Sequence, residues 1–279
     1  MSQTRMARRS SAVRRNAARR PCTTGPATTS AATVPAEFRR RSALFAAEIT
    51  DLSAEQEVVW VYAVAAGLDP GHLSGLSGVG GEPVRAVAEA GLHAVVGSVD
   101  AGAFGESSIA SMLGDLANIE AIGRAHHEVV ASIAAESPVV PLRLATVYPD
   151  DGTVGMLLAE HGAELAELIE SLRGTQEWGV QVYWHPDQDL TWLDAEATAE
   201  AADEAMSDVA LAARRQPAPY LRPGSTAGWM VLNGIYLVDA QQAGLFASIA
   251  QHFAAGNAAL RVEVTGPWPP YSFADRQEA

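Results

Sequence analysis

The side chains best placed by type and spacing to do chemistry are His126-His127-Glu128. Imidazole and carboxylate groups are the usual proton carriers and metal ligands. Consecutive residues on a helix, however, point about 100° apart, so neighbouring histidines cannot hold one ion from one face. His126 is in register with Val130 and Ile133, which reads as a hydrogen-bonded core histidine. Gly78-Val79-Gly80-Gly81 has the look of a phosphate loop but lacks the Lys-Ser/Thr ending, so it reads as a turn. Arg143 lies within an apolar strand pattern and reads as half of a structural ion pair. His161 falls on the apolar face of a helix and again reads as core. No Gly-x-Ser-x-Gly elbow is present. The single cysteine, Cys22, excludes an internal disulfide or a cysteine-built metal site. The expectation is a non-enzymatic protein with no catalytic, cofactor-binding or metal-ligating residue.

The elements that carry these residues follow from the hydrophobic pattern. Val58 to Val64 is a continuous β-branched and aromatic run, so it reads as a central strand buried on both faces. Gly67 to Gly81 reads as a loop. Pro83 to Glu89 and Leu92 to Val99 form two strands joined at Ala90-Gly91. Ser107 or Ser108 is expected to cap a helix with Ile109, Met112, Leu113, Leu116 and Ile119 on its apolar face. The same helix, or a second after Gly123, carries His126 and stops at Ser137-Pro138. Val139 to Val147 is the next strand. Pro149-Asp150-Asp151-Gly152-Thr153 opens the clearest helix, with Val154, Leu157, Leu158, His161, Leu165, Leu168, Ile169 and Leu172 on one face and Gly174 at its end. Trp178, Val180, Val182 and Trp184 alternate as one aromatic face of a strand, more readily core than ligand platform. An acidic helix over Asp194–Arg215, a strand over Trp229–Val238, a helix over Gln241–Phe253 and a strand through Leu260, Val262 and Val264 complete the order. The fold class is therefore α+β, and the second half is compatible with a ferredoxin-like sandwich.

Charge divides the chain unevenly. Lysine is absent, and all 19 basic residues are arginine. Residues 1–56 hold ten arginines against four acids, net +6, whereas 57–279 hold nine against 29, net −20. An acidic body argues against nucleic acid as a partner. The head, rich in Arg, Ser, Ala and Thr, predicts disorder. It reads as the product of a start site taken too far upstream, as a basic tail that touches an acidic partner or nucleic acid, or as a spacer. It has no apolar signal core. The longest apolar stretch, near Val58 to Ala66, is far short of the ~20 residues of a membrane span. A soluble, cytoplasmic protein is expected, with no membrane partner. The expected division is a disordered basic extension at 1–56, an α+β domain at 57–148 and a ferredoxin-like α+β domain at 149–279.

The last strand pattern runs into Gly266-Pro267-Trp268-Pro269-Pro270-Tyr271-Ser272-Phe273. Each proline fixes φ near −65° and removes an N–H donor, and the residue before each is driven out of the helical region. The segment must be extended and presents its aromatics from a stiff rail. Trp268, Pro269, Pro270, Tyr271 and Phe273 are accordingly the candidate partner-binding residues. A tail folded back on its own domain is the competing reading, and the two are compatible.

The motifs resemble the gas vesicle protein F/L family in collinear order over about 215 residues, from Val58 to Phe273. They are Val61-Tyr62-Ala63-Val64, Leu92-His93-Ala94-Val95-Val96, Ala125-His126-His127-Glu128-Val129-Val130, Val140-Pro141-Leu142-Arg143-Leu144-Ala145-Thr146-Val147-Tyr148, Glu177-Trp178-Gly179-Val180, Val231-Leu232-Asn233 and the terminal aromatic segment. The resemblance implies two α+β domains, the second a modified ferredoxin-like fold. It implies a non-enzymatic, minor structural or accessory role in gas vesicle assembly, at the vesicle. Its implied partners are the major shell protein and other accessory vesicle proteins. Two departures stand out: the arginine-rich head is extra, and the region between Trp184 and Trp229 is short, with Pro223 interrupting Tyr220-Leu221-Arg222. The alternatives are a small-molecule-binding or catalytic ferredoxin-like domain, marked by a polar pocket near Arg143 or His126, and a paralogue that no longer serves vesicles.

Overall fold

The computed structural model describes residues 56–104, 116–217 and 228–274. All of them belong to the compact unit Ala31–Ala279. The basic extension, the capping serines 107 and 108 and the segment around Tyr220 fall outside the described residues.

The first sheet is built around β1 (Glu57–Ala66). Its strand order is β2-β3-β1-β4, with β5 also on β1. Here β2 is Val84–Glu89, β3 Leu92–Asp100, β4 Val139–Pro141 and β5 Val147–Tyr148. The hairpin β2–β3 turns at Ala90 and Gly91, whose φ values are +52° and +76°. Two consecutive positive φ angles match the right-handed twist of paired strands, which is why a short Ala-Gly link suffices. The strand β1 buries both faces, as its unbroken apolar run predicts. Val59, Val61 and Val64 face a helix, α2 (Asp151–Ser171), through Leu157, Leu158, Leu165 and Leu168. Val58, Trp60 and Tyr62 face the opposite side, toward Val129, Val130 and Ile133 of α1 (Leu116–Glu136).

A half-buried carboxylate locks one edge of this layer. Glu82 accepts from the Tyr62 hydroxyl and from Gly80 N at 2.8 Å, while Tyr62 accepts from Val79 N at 2.9 Å. The glycine-rich stretch is therefore a turn around Glu82, as expected. A Cβ at Gly97 would lie 2.3 Å from Glu82 Oε1. Gly97→Ala is expected to displace that carboxylate and cost about 1–3 kcal/mol. The loss should nearly vanish in a Glu82→Ala background. Additive penalties in a urea-melt double-mutant cycle would sink this account.

The second sheet has the order β7-β8-β6-β9 and is antiparallel throughout. Its strands are β6 (Thr175–Trp184), β7 (Ala212–Arg215), β8 (Trp229–Asp239) and β9 (Leu260–Trp268). With α3 (Trp192–Ser207) after β6 and α4 (Ala243–Gly256) after β8, the chain order is βαββαβ. That is the ferredoxin-like path, with the spatial order second, third, first, fourth. The two helices cover one face through Ala195, Ala199, Met206, Phe246 and Ala250. The other face contributes Leu237, with Ile235 and Ala212 alongside, to the cluster around α2. The architecture is α+β with two sheets.

Two local expectations are corrected. The helix predicted to run from Asp194 to Arg215 ends at Ser207, and Ala212–Arg215 is an edge strand on β8. Local helix propensity loses there to ladder bonds and to the pairing of Arg215 Nε with Asp203 at 2.7 Å. The predicted strand Val139–Val147 breaks into β4 and β5 around a turn at Leu144-Ala145, with Ala145 at φ +65°. Arg143 is consequently exposed in that turn, not buried in a strand. By packing, α2 belongs with the first sheet, and the second sheet begins at Thr175.

Candidate functional site

The tail starts as the end of β9 and returns across the molecule. Gly266 has φ +115°, and a Cβ there would come 2.7 Å from the Glu177 carbonyl oxygen. Only glycine lets the tail backbone approach β6 this closely. Beyond Trp268 the chain tightens into a turn, with Tyr271 N donating to Pro269 O at 2.8 Å and Ala274 N to Pro270 O at 3.0 Å. Ser272 then donates twice to the Glu177 carboxylate, from its backbone N at 2.7 Å and its Oγ at 2.9 Å. Arg214 of β7 donates to Ser272 O, and its guanidinium carbon stands 5.0 Å from the Phe273 ring centre. Burial raises the Glu177 carboxyl above its ordinary pKa, while the Ser272 bonds and Arg214 pull it back down.

The five candidate residues part company here. Phe273 is 1% exposed and joins the cluster around α2, and Pro270 is buried. Tyr271 turns toward α1, with its ring centre 6.3 Å from that of His126 and its hydroxyl 3.4 Å from His127 Nδ1. Burial pushes the Tyr271 hydroxyl far above its ordinary pKa. Trp268 meets His127 edge-on at 4.9 Å yet stays 41% exposed, and Pro269 is half-buried. Trp268, Pro269 and Pro270 wall a groove of about 510 Å³ against Ala131 and Ala134 of α1. Gln176 lines the same groove, and its Oε1 is shut away from water with no partner among the described residues.

His126 is sealed. It is 3% exposed, accepts from Trp60 Nε1 at 3.0 Å through Nδ1 and lies 3.1 Å from Leu142 O through Nε2. These partners select the neutral tautomer with the proton on Nε2, and both ring nitrogens are engaged. Burial lowers its pKa to about 4. Burial lowers that of His127 as well, although Glu128 partly restores it. His161 is buried on the face of α2 directed at the first sheet, as its spacing predicts. Of the side chains that fasten the tail, His127 was singled out from sequence only for proton or metal chemistry, Glu177 only as part of a family motif, and Arg214 not at all. Glu177 and Ser272 are 95 residues apart, and no spacing rule links them.

The family model of the gas vesicle synthesis proteins GvpL/GvpF matches residues 58–196 and 188–275. The chain belongs to this family. Gas vesicle protein L of Streptomyces sp. (strain CB03234) is 32% identical over 246 residues, covering 77% of this chain and 92% of that protein. Gas vesicle protein F of the same strain is 25% identical over 251 residues, covering 77% and 99%. The crystal structure of GvpF from Anabaena sp. PCC7120 aligns with a TM-score of 0.57 at 17% identity, over 80% of this chain and 98% of that one. GvpF from Microcystis aeruginosa aligns with a TM-score of 0.58, also at 17% identity, over 78% and 99%. Membership of the GvpL/GvpF family carries a gas-vesicle-related accessory role and association with gas vesicle proteins. Among the described residues no helix is long and apolar enough to cross a membrane.

Proposed function

We propose that this chain is a non-enzymatic assembly factor of gas vesicles that binds the hydrophobic shell protein and other accessory vesicle proteins. The observation that carries the reading is Trp268, 41% exposed at the rim of a groove walled by proline and by alanines of α1. A large aromatic held on a stiff segment loses little entropy when a partner covers it, which is the usual character of a binding hot spot. Of the five candidate residues, Trp268 and Pro269 make the contact, while Pro270, Tyr271 and Phe273 hold them in place.

Trp268→Ala is expected to weaken capture of purified shell protein at least ~10-fold while shifting stability by less than ~1 kcal/mol. Unchanged capture by a folded variant would remove the groove from the reading. The assembly role itself is tested by deleting the gene in a host carrying a whole vesicle cluster and reading pressure-collapsible turbidity. Loss of turbidity, restored by residues 57–279, supports it. Normal vesicles in its absence turn the assignment toward the small-molecule-binding or retired-paralogue alternatives.

A further inference from the structure

The second sheet ends in an open edge. Its strand order leaves β9 paired on one side only, with β6, and among the described residues no other strand joins it. Side chains alternate along this edge. Leu260, Val262 and Val264 stand opposite Trp184, Val182 and Val180, on the face that the helices cover. Val264 is nevertheless 38% exposed. Arg261 and Glu263 stand opposite Tyr183 and Gln181, on the other face. Arg261 donates to Glu263 within its own strand, and its guanidinium carbon lies 4.0 Å from the Tyr183 ring centre. A cation and an anion two residues apart on one face of an edge strand form a self-complementary pattern, because an antiparallel copy presents them in the reverse order.

From this we infer that β9 pairs antiparallel with β9 of a second copy of this chain, about a two-fold axis at Val262. In that register Arg261 faces the copy's Glu263 and Glu263 faces the copy's Arg261. The four charges alternate, and the pair within each strand is kept. On the other face Val262 meets Val262, and each Val264 is covered by Leu260 of the copy. Other registers lose this match. An axis at Arg261 or Glu263 sets like charges opposite each other, and one at Val264 sets Arg261 against Pro267, which has no N–H for the ladder. The helices fit the same arrangement. The helix α4 packs on β9, whereas α3, with five acids and no basic residue, packs on β8 and β6. Joining the two sheets therefore brings α4 beside its copy and keeps the acidic helices apart. The helix α4 has no Asp, Glu, Lys or Arg. Ser248, Ile249, His252 and Phe253 line its α3 side, so at 100° per residue Ala243, Ala247 and Ala254 fall on the flank toward the copy. The outer edge of the first sheet, β2, is less suited, because both carboxylate oxygens of Asp151 hold Arg85 there, at 3.1 and 2.6 Å. The dimer does not rest on the assembly reading.

The test is the oligomeric state of the full chain by analytical ultracentrifugation. A concentration-dependent dimer is expected, with hydrogen-exchange protection over β9 that rises with protein concentration. Arg261→Glu and Glu263→Arg each place like charges across the axis and should weaken self-association at least ~10-fold. Both side chains are half-exposed, and circular dichroism melts check that each variant folds. Mixed in equal amounts, the two variants should pair with each other, because a strand with two acids then faces a strand with two bases. The double variant Arg261→Glu with Glu263→Arg restores the alternation and should restore the dimer. A chain that stays monomeric up to about 100 μM would overturn the inference. So would a dimer that withstands both single reversals, or single variants that fail to associate when mixed. None of these readouts involves the shell protein, so failure here leaves the assembly reading standing on its own test.

Discussion

Phe273→Ala is expected to lower the free energy of unfolding by about 3–5 kcal/mol, the range for removing a fully buried aromatic ring. Phe273 is 1% exposed, sits among residues of both sheets and α2, and lies beneath the Arg214 guanidinium. Truncation leaves a cavity where the two layers meet and removes the surface over which Arg214 is held. Arg214 also donates to Ser272 O, so the bonds to Glu177 loosen with it. Urea denaturation should show a lower midpoint with an unchanged slope. Trp268→Ala, five residues upstream and half in solvent, should cost less than ~1 kcal/mol. Similar losses for the two variants would mean that the tail is not anchored at Phe273.

Acid is expected to unfold the protein through His126 well before the bulk of its carboxylates titrate. Its pKa is about 4 in the folded chain and near 6.5 when exposed. Between those values the unfolded chain binds a proton that the folded one refuses. Unfolding therefore takes up a proton, and stability falls as pH drops from about 6.5 toward 4, by roughly 3 kcal/mol in total from this group. Above pH 6.5 its contribution is complete and flat. His127, lowered by burial too, acts in the same direction. Glu177, raised by burial, acts in the opposite one and gains a proton on folding as pH falls. His126→Gln cannot charge, so its midpoint at pH 7 should be lower than the parent's while its decline between pH 6.5 and 4.5 is shallower. A variant that loses stability with the parent's slope would exclude His126 as the acid-sensitive group.

Much of this was legible in the residues. An unbroken run from Val58 to Val64 can only be a strand covered on both sides, and α1 and α2 do cover it. The spacing along α2 and the Asp150 cap, which accepts from Thr153 N at 2.7 Å, reproduce the expected helix start. His126 reads as core from its register with Val130, and the indole of Trp60 completes that reading. The illegible parts depended on distant partners. Nothing local distinguishes Ala212–Arg215 from the helix before it, because its strand character comes from pairing with β8. Arg143 looked buried because its neighbours are apolar, but the turn at Ala145 rotates it outward. In the tail, composition named the aromatic residues but not their order of exposure. That order follows from Glu177 and Arg214, which lie far away in the chain.

The fastening of the tail also has a kinetic meaning. Its bonds close loops of 95 residues to Glu177, 58 to Arg214 and 144 to His127. The β2–β3 and β7–β8 ladders and the helix caps join closer neighbours and carry a smaller closure entropy, whereas the β6–β9 ladder that leads into the tail spans 76 to 91 residues. The strap therefore closes with the β6–β9 ladder, after the hairpins and helices, and in reverse the two come away before the hairpins do. The lifetime of the folded state, more than the speed at which it is reached, is set by the last turn before residue 274.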